Sequence, residues 1–350
     1  MKLDQTFGDP AFRALPPLPT MGVGSYAAPG WFGLARRAMR DGAMGPIDAD
    51  ELLNDATRVV VDDQLEAGVD ILSDGELRRQ RFVYEAYDRL HGLARQPPAR
   101  KLGITGYDMA PHFLATGPIT APNGIGTVEE FLILRGMAPN RPLKIALPGP
   151  LTFAGFIQPG ERGQQAVLDD CIALVKAEIA ALVDAGARYI QLDEPGLATA
   201  GKGWTPAQGV AAINKAIGGA NATMAVHVCF GNNAGRPMAD RRLEPLLDAV
   251  EQLAVPHLVL EFANREMSGV EHLRRLSAKF VVACGVVDVK NFYVETRDDV
   301  ARRIDQCLAH LPADAMIVTA DCGFSALPRY VARQKMQAMV DGARLVRGRN

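Results

Sequence analysis

The sequence predicts a single (β/α)8 TIM barrel of class α/β. Short, fully apolar runs alternate with helical patterns along most of the 350 residues. Strands that are apolar on both faces belong to a parallel sheet covered by helices. Polar residues with useful chemistry follow these runs, at the C-terminal strand ends where such barrels build their sites. A doubly wound open sheet is the competing architecture, but no G-x-G-x-x-G follows the first strand to support it.

The elements read in order. "TMGV" leads into Gly24-Ser25. "TRVVVDDQLEAGV" is an amphipathic helix, and "DILSDGE" a strand ending in acids. Residues 92–143 are rich in Gly and Pro with weak periodicity, and are expected to leave the barrel as an excursion, a hairpin lidding the site. "KIALPGP" is the next strand, followed by the long helix "GQQAVLDDCIALVKAEIAALVDAGA", closed by Gly186, and the strand "RYIQLDEP". "TPAQGVAAINKAIGG" is a helix with Thr205 at its N-cap and Pro206 at its first position. Strands "TMAVHVCF", "HLVLEFAN", "KFVVACGVVDVK" and "AMIVTADCGF" then alternate with helices "RRLEPLLDAVEQLA", "GVEHLRRLSA", "TRDDVARRIDQCLAHL" and "ALPRYVARQKMQAMVDGARLV". Residues 1–350 read as one domain without a short repeat.

Composition narrows the function. Net charge is −2, with 48% hydrophobic and 22% charged residues, ordinary for a globular protein. There is no basic surplus for nucleic acid. No apolar run approaches the ~18–20 residues of a membrane span, and the N-terminus lacks a signal-peptide core. A cytoplasmic protein is expected. Five widely spread Cys do not form a disulfide framework.

Four soft-metal ligands stand at the ends of apolar runs: His227 and Cys229, Glu261, and Cys322. An H-x-C pair places both side chains on one strand face, since strand side chains alternate with period 2. Alone, that pair or a strand-end Cys is a weak signal; buried Cys are more often small hydrophobes. Glu261 is stronger, because a carboxylate directly after "HLVL" is buried and requires a cation. Together the four suit Zn²⁺ in charge, softness and number. Cys171, Cys284 and Cys307 read as packing residues. Asp193-Glu194-Pro195 ends "YIQL", and Asp74-Gly75-Glu76 ends "DIL". Either pair of acids could be a solvated turn, or could recognise a substrate cation. Gly24-Ser25 offers backbone N–H groups and a hydroxyl to a carboxylate. Acids and an anion-accepting turn at one mouth would hold an α-amino acid.

The motifs "LPTMGVGSY", "SDGELRRQRFV", "LPGPLTF", "IQLDEPGL", "HVCFGN", "LEFANRE", "GVVDVK" and "ADCGFSALPR" resemble, in order, the catalytic C-terminal barrel of cobalamin-independent methionine synthase, over nearly the whole chain. The resemblance implies Zn²⁺ on His227, Cys229, Glu261 and Cys322, with Glu261 the displaceable ligand. It implies homocysteine held by Gly24, Ser25, Glu76 and Asp193, its thiol activated by the metal to take a methyl group. Three departures bear on the methyl donor. One barrel stands here where the full enzyme has two. Ala154-Gly155-Phe156 stand where the family has a folate-stacking Trp. Lys290 stands where it has a proton-relaying His. These departures imply a methylcorrinoid, free or on a corrinoid protein, in preference to a folate polyglutamate. Epoxyalkane:coenzyme M transferase, a related zinc branch, is the alternative; its sulfonate acceptor would want a cation such as Arg78, Arg79, Arg81 or Lys290. A non-catalytic zinc-binding barrel is a third reading, disfavoured by the acids beside the metal ligands.

Overall fold

The structure is a computed structural model, and residues 2–79, 83–98, 111–199, 203–232 and 237–349 are described. Six parallel strands lie side by side: β3 (Ile145–Pro148), β5 (Tyr189–Asp193), β6 (Thr223–Val228), β7 (His257–Glu261), β8 (Val281–Val287) and β9 (Met316–Ala320). Two short segments close the ring. Thr20 bridges Val318 on β9, Met21 bridges Ile71, and Leu72 bridges Leu143 ahead of β3, all in parallel. Backbone bonds carry the closure, among them Met21 N–H to Val318 O (3.0 Å) and Lys144 N–H to Leu72 O (2.8 Å). The expected barrel is therefore present.

Strand alternation divides the apolar residues into two cores. Ile190, Leu192, Val226, Val228, Leu258 and Leu260 face outward and pack under the helices. Tyr189, Ala225, Val259, Val281, Ala283 and Ile317 face inward and fill the barrel. The inward positions turn polar as the strands rise. On β5 they run Tyr189, Gln191, Asp193; on β6, Ala225 then His227; on β7, His257, Val259, Glu261. The polar residues that open to the cavity lie at the strand tops, while Tyr189, Thr223 and His257 at the bottom are closed off by the N-terminal segment.

The N-terminal segment seals the lower end. Phe7 stacks on Phe12 at 4.4 Å and meets the Tyr189 and His257 rings edge-on at 5.1 and 5.0 Å. Thr6 O accepts from the Thr223 hydroxyl (2.7 Å), and Thr6 Oγ1 lies 2.7 Å from His257 Nε2. Tyr189, Thr223 and His257 each begin a strand, so this plug sits at the strand N-termini. Burial drives the His257 imidazole down to about 3, so it is neutral there.

Two parts of the sequence reading need correction. The excursion at 92–143 is smaller than expected. Strands β1 (His91–Gln96) and β2 (His112–Thr120) do form an antiparallel hairpin, with β4 (Ile157–Gln158) alongside β2, but Thr127–Met137 is an ordinary barrel helix. The buried Glu178 carboxylate accepts from the Ile125 and Thr127 amides at 3.0 and 3.1 Å and so caps that helix. Residues 99–110 of the excursion lie outside the described residues. The helices expected at "RRLEPLLDAVEQLA" and "GVEHLRRLSA" are shorter, each a 3-10 turn leading into an α turn: Glu244–Leu246 then Leu247–Val250, and Val270–His272 then Leu273–Leu276. Thr205 forms the expected N-cap, with a full capping box to Gln208. No helix among the described residues is long and apolar enough to cross a membrane.

Candidate active site

The inward residues at the strand tops open into a cavity of about 570 Å³. Gly24, Ser25, Glu76, Asp193, His227, Cys229 and Cys322 all line it. Seven of the residues singled out from sequence, drawn from five separate segments, therefore meet in one place.

The soft ligands converge. His227, Cys229 and Cys322 each offer an atom within 4.8 Å of the others. The His227 ring is fixed on its far side, where Nδ1 lies 3.0 Å from Asp193 Oδ1. Its Nε2 is buried and has no hydrogen-bond partner. An unpartnered imidazole nitrogen beside two thiols is the setting that a soft cation completes, with the carboxylate behind the His fixing the ring. The thiols share a proton unequally. The hydrogen bond from Cys229 and the nearby imidazole bring Cys322 down to about 7, while Cys229, which donates it, is raised.

Glu261 stands apart from this trio. It is not among the residues whose ligand atoms lie within 4.8 Å of one another. Its Oε2 instead pairs with Lys290 Nζ at 2.9 Å, both side chains being buried, and its Oε1 has no partner. Lys290 therefore neutralises Glu261 and does not line the cavity. The next loop is anchored by Asp321, whose carboxylate accepts from the amides of Phe262 and Ala263 (2.9 Å each) and Asn264 (2.6 Å). The strand ends carrying Glu261 and Cys322 are thereby tied together.

In each pair of acids, one member faces the cavity. Glu76 does so with left-handed backbone (φ 57°). A Cβ on Gly24 would lie 2.5 Å from Glu76 Oε1, so a larger residue there would displace this carboxylate from its present position. Burial pushes Glu76 up to about 8 against the pull of Arg79, whose guanidinium lies 3.9 Å from Oε1; that oxygen has no hydrogen-bond partner. Asp74 is buried away from the cavity. Asp193 faces the cavity, whereas Glu194 is fully buried behind it. Glu194 accepts from the Leu151 amide (3.1 Å) and the Thr152 amide (2.7 Å), capping the helix Pro150–Gly155. Neither pair is a solvated turn.

Of the cations considered for a sulfonate, Arg78 bonds Asn54 at 3.0 Å and pairs with Asp50. Arg79 pairs with Glu130 at 2.6 Å. Arg81 lies outside the described residues. Among the described lining residues there is no Lys or Arg. The lining also carries three aromatic residues, Tyr84, Phe156 and Trp204, with the Tyr84 and Phe156 rings 5.6 Å apart. Trp204 was not singled out from sequence, nor were Lys144, Gln191 and Asp321. Asp321 adjoins Cys322, and a Lys opening a buried run was the available signal for Lys144.

Fold and site together define a barrel whose cavity gathers two thiols, an imidazole and two carboxylates. Residues 18–345 match the family described as cobalamin-independent synthase, catalytic domain. Methionine synthases of Saccharolobus solfataricus and Sulfurisphaera tokodaii are each 32% identical to the chain over 336 residues, 95% of its length and 96% and 94% of theirs. The structure of a B12-independent methionine synthase from Shewanella sp. W3-18-1, in complex with selenomethionine, is similar with a TM-score of 0.81 at 26% identity, over 95% of this chain and 98% of that one. The chain belongs to the cobalamin-independent methionine synthase family, and it is a methyltransferase.

Proposed function

We propose that the chain methylates the thiol of homocysteine to give methionine, with Zn²⁺ held by His227, Cys229 and Cys322 and with Glu261 as the weaker, displaceable partner. The observation that carries this is the unpartnered, buried His227 Nε2 facing two thiols in the same cavity as two carboxylates. Bound there, zinc would supply an acceptor thiol deprotonated at neutral pH, where a free thiol with pKa near ~8.5 is mostly protonated. The chain's own residues do the rest. Glu76 and Asp193 receive the ammonium group. The turn at Gly24 and Ser25 receives the carboxylate. The Lys290–Glu261 pair leaves Glu261 only loosely committed, since Oε1 makes no hydrogen bond. Acids with no Lys or Arg among the described lining residues suit an amino acid better than the sulfonate of coenzyme M.

The test is incubation of the zinc-loaded protein with homocysteine and, in turn, methylcobalamin, methyltetrahydrofolate polyglutamate, and an epoxide with coenzyme M. Methionine from either of the first two supports the reading; alkylated coenzyme M alone refutes it. Methylcobalamin is expected to give the faster turnover. Gly155 leaves open space where the family carries a stacking Trp, and Lys290, already paired with Glu261, has no lone pair with which to accept a proton while charged. Loss of an aromatic stack removes about 0.5–1.5 kcal/mol beyond area burial. Faster turnover with the folate would mean that Phe156 and Trp204 supply the stacking face.

Glu76 adds a pH signature. A raised carboxyl keeps its proton until the pH climbs past its own value, here about 8. Binding an ammonium favours the charged carboxylate, so at pH 7 binding must expel that proton. Homocysteine affinity is expected to rise from pH 6 toward 8. Calorimetry in buffers of different ionisation enthalpy should show close to one more proton released by wild type than by Glu76→Gln. Equal release in both would remove Glu76 from the ammonium site.

A further inference from the structure

Beneath the cavity floor a buried lysine meets a buried amide, and nothing in the proposed chemistry uses either. Lys144 and Gln191 are both fully buried. Lys144 Nζ donates to Gly22 O (2.6 Å), Val23 O (2.7 Å) and Gln191 Oε1 (2.7 Å), which uses all three of its hydrogens. An ammonium has no lone pair, so the atom facing it must be the oxygen of the amide. The Gln191 nitrogen therefore points the other way, to Val23 O (2.8 Å) and Asp193 Oδ1 (2.7 Å). Asp193 Oδ1 also faces His227 Nδ1 at 3.0 Å. A carboxylate oxygen holding an amide N–H can only accept from the imidazole as well. Nδ1 then carries a ring hydrogen, which leaves Nε2 as the nitrogen that faces Cys229 and Cys322 and can offer a lone pair once the ring is neutral. Every polarity in this chain is forced by the lysine at its start.

We infer that Lys144 and Gln191 are positioning residues that orient Asp193 and, through it, the His227 ring, so that the acceptor site and the metal site are set by one buried amide. The link to the amino-acid site is direct. Val23 O, which takes bonds from both Lys144 and Gln191, adjoins the Gly24-Ser25 turn, and Asp193 also lines the cavity. A lysine serving only to staple the first segment to the barrel would need its two bonds to Gly22 and Val23, but not the third to Gln191. The metal and acceptor parts of this inference rest on the proposed function; the hydrogen-bond polarity does not.

The tests separate the two. In metal-free wild-type protein labelled with [15N]histidine, at a pH high enough for the ring to be neutral, His227 is expected as the Nδ1–H tautomer. An Nε2–H ring would overturn the relay whatever metal or substrate the protein takes. Gln191→Glu then keeps the size of the side chain and gives Lys144 an ion pair, but sets an acceptor against Asp193. Competition with a chromophoric chelator is expected to show zinc affinity at least about tenfold weaker, the scale of a lost outer-shell partner. Homocysteine affinity should fall by a similar factor while thermal stability changes little. Zinc and homocysteine affinities within twofold of wild type would overturn the positioning role. Should that variant not fold, Lys144→Met is read in the same way, because it frees the amide without adding charge. Wild type that takes up no zinc but shows the Nδ1–H tautomer would refute the metal reading and leave the relay standing.

Discussion

Cys322→Ser is expected to lose stoichiometric zinc and, with it, nearly all methyl transfer. A serine hydroxyl is not ionised near neutral pH and is a hard donor, whereas the thiol it replaces is already held at about 7 by Cys229 and the imidazole. Structural zinc in thiolate–imidazole sites is worth about 10–16 kcal/mol in all. With the load shared by His227, Cys229 and Cys322, one ligand carries roughly 4 kcal/mol, or on the order of 10³ in affinity at about 1.4 kcal/mol per decade. The side chain stands in the loop after β9, beyond the packed strand, so the metal-free fold should tolerate the near-isosteric change. Elemental analysis of protein purified without chelator decides it. Full zinc occupancy in the variant would remove Cys322 from the site.

Asp193→Asn is expected to damage two functions at once, and comparison with Glu76→Gln makes that visible. Asp193 faces the cavity and also holds His227 at 3.0 Å. Losing a charge-assisted bond to the substrate ammonium costs roughly 1.5–3 kcal/mol. Losing the carboxylate behind a metal-binding His costs about 10–100-fold in metal affinity. Glu76 has no contact with His227, so Glu76→Gln should weaken homocysteine and leave zinc in place. Parallel titrations of both variants with zinc and with homocysteine measure this directly. An unchanged zinc affinity in Asp193→Asn would show that the Asp193–His227 contact does not hold the ring.

Much of the site was legible because chemistry-bearing residues interrupt apolar runs at the one place where a parallel barrel leaves room for them. His227, Cys229, Cys322, Glu76 and Asp193 all stood out in this way. What the runs hid was their facing. "YIQL" and "KIAL" are buried on both sides, so no alternation in hydropathy shows that Gln191 points inward or that Lys144 is buried at all. Glu194 could not be told from its neighbour Asp193 without knowing which side of the strand each occupied. The helix Thr127–Met137 was missed because "TVEEFLILRGM" presents little contrast between faces and is flanked by Gly and Pro. Glu261 was read as needing a cation, and the one it meets in the structure is Lys290.

The plug under the barrel divides the molecule's labour. None of Phe7, Phe12, Tyr189 and His257 lines the cavity. Their contribution answers to a different variable. An imidazole pushed from 6.5 down to about 3 steadies the fold above pH 6.5 and withdraws that support as acidity increases toward 3. The mouth responds around neutrality and above, through Glu76 and the thiols. Foundation and workshop thus titrate in separate windows and share no side chain among these groups. Substitutions that retune which thiol is accepted can accumulate at the rim without altering the acid sensitivity that His257 builds into the floor, and a lineage built on this barrel is free to change its trade while keeping its house.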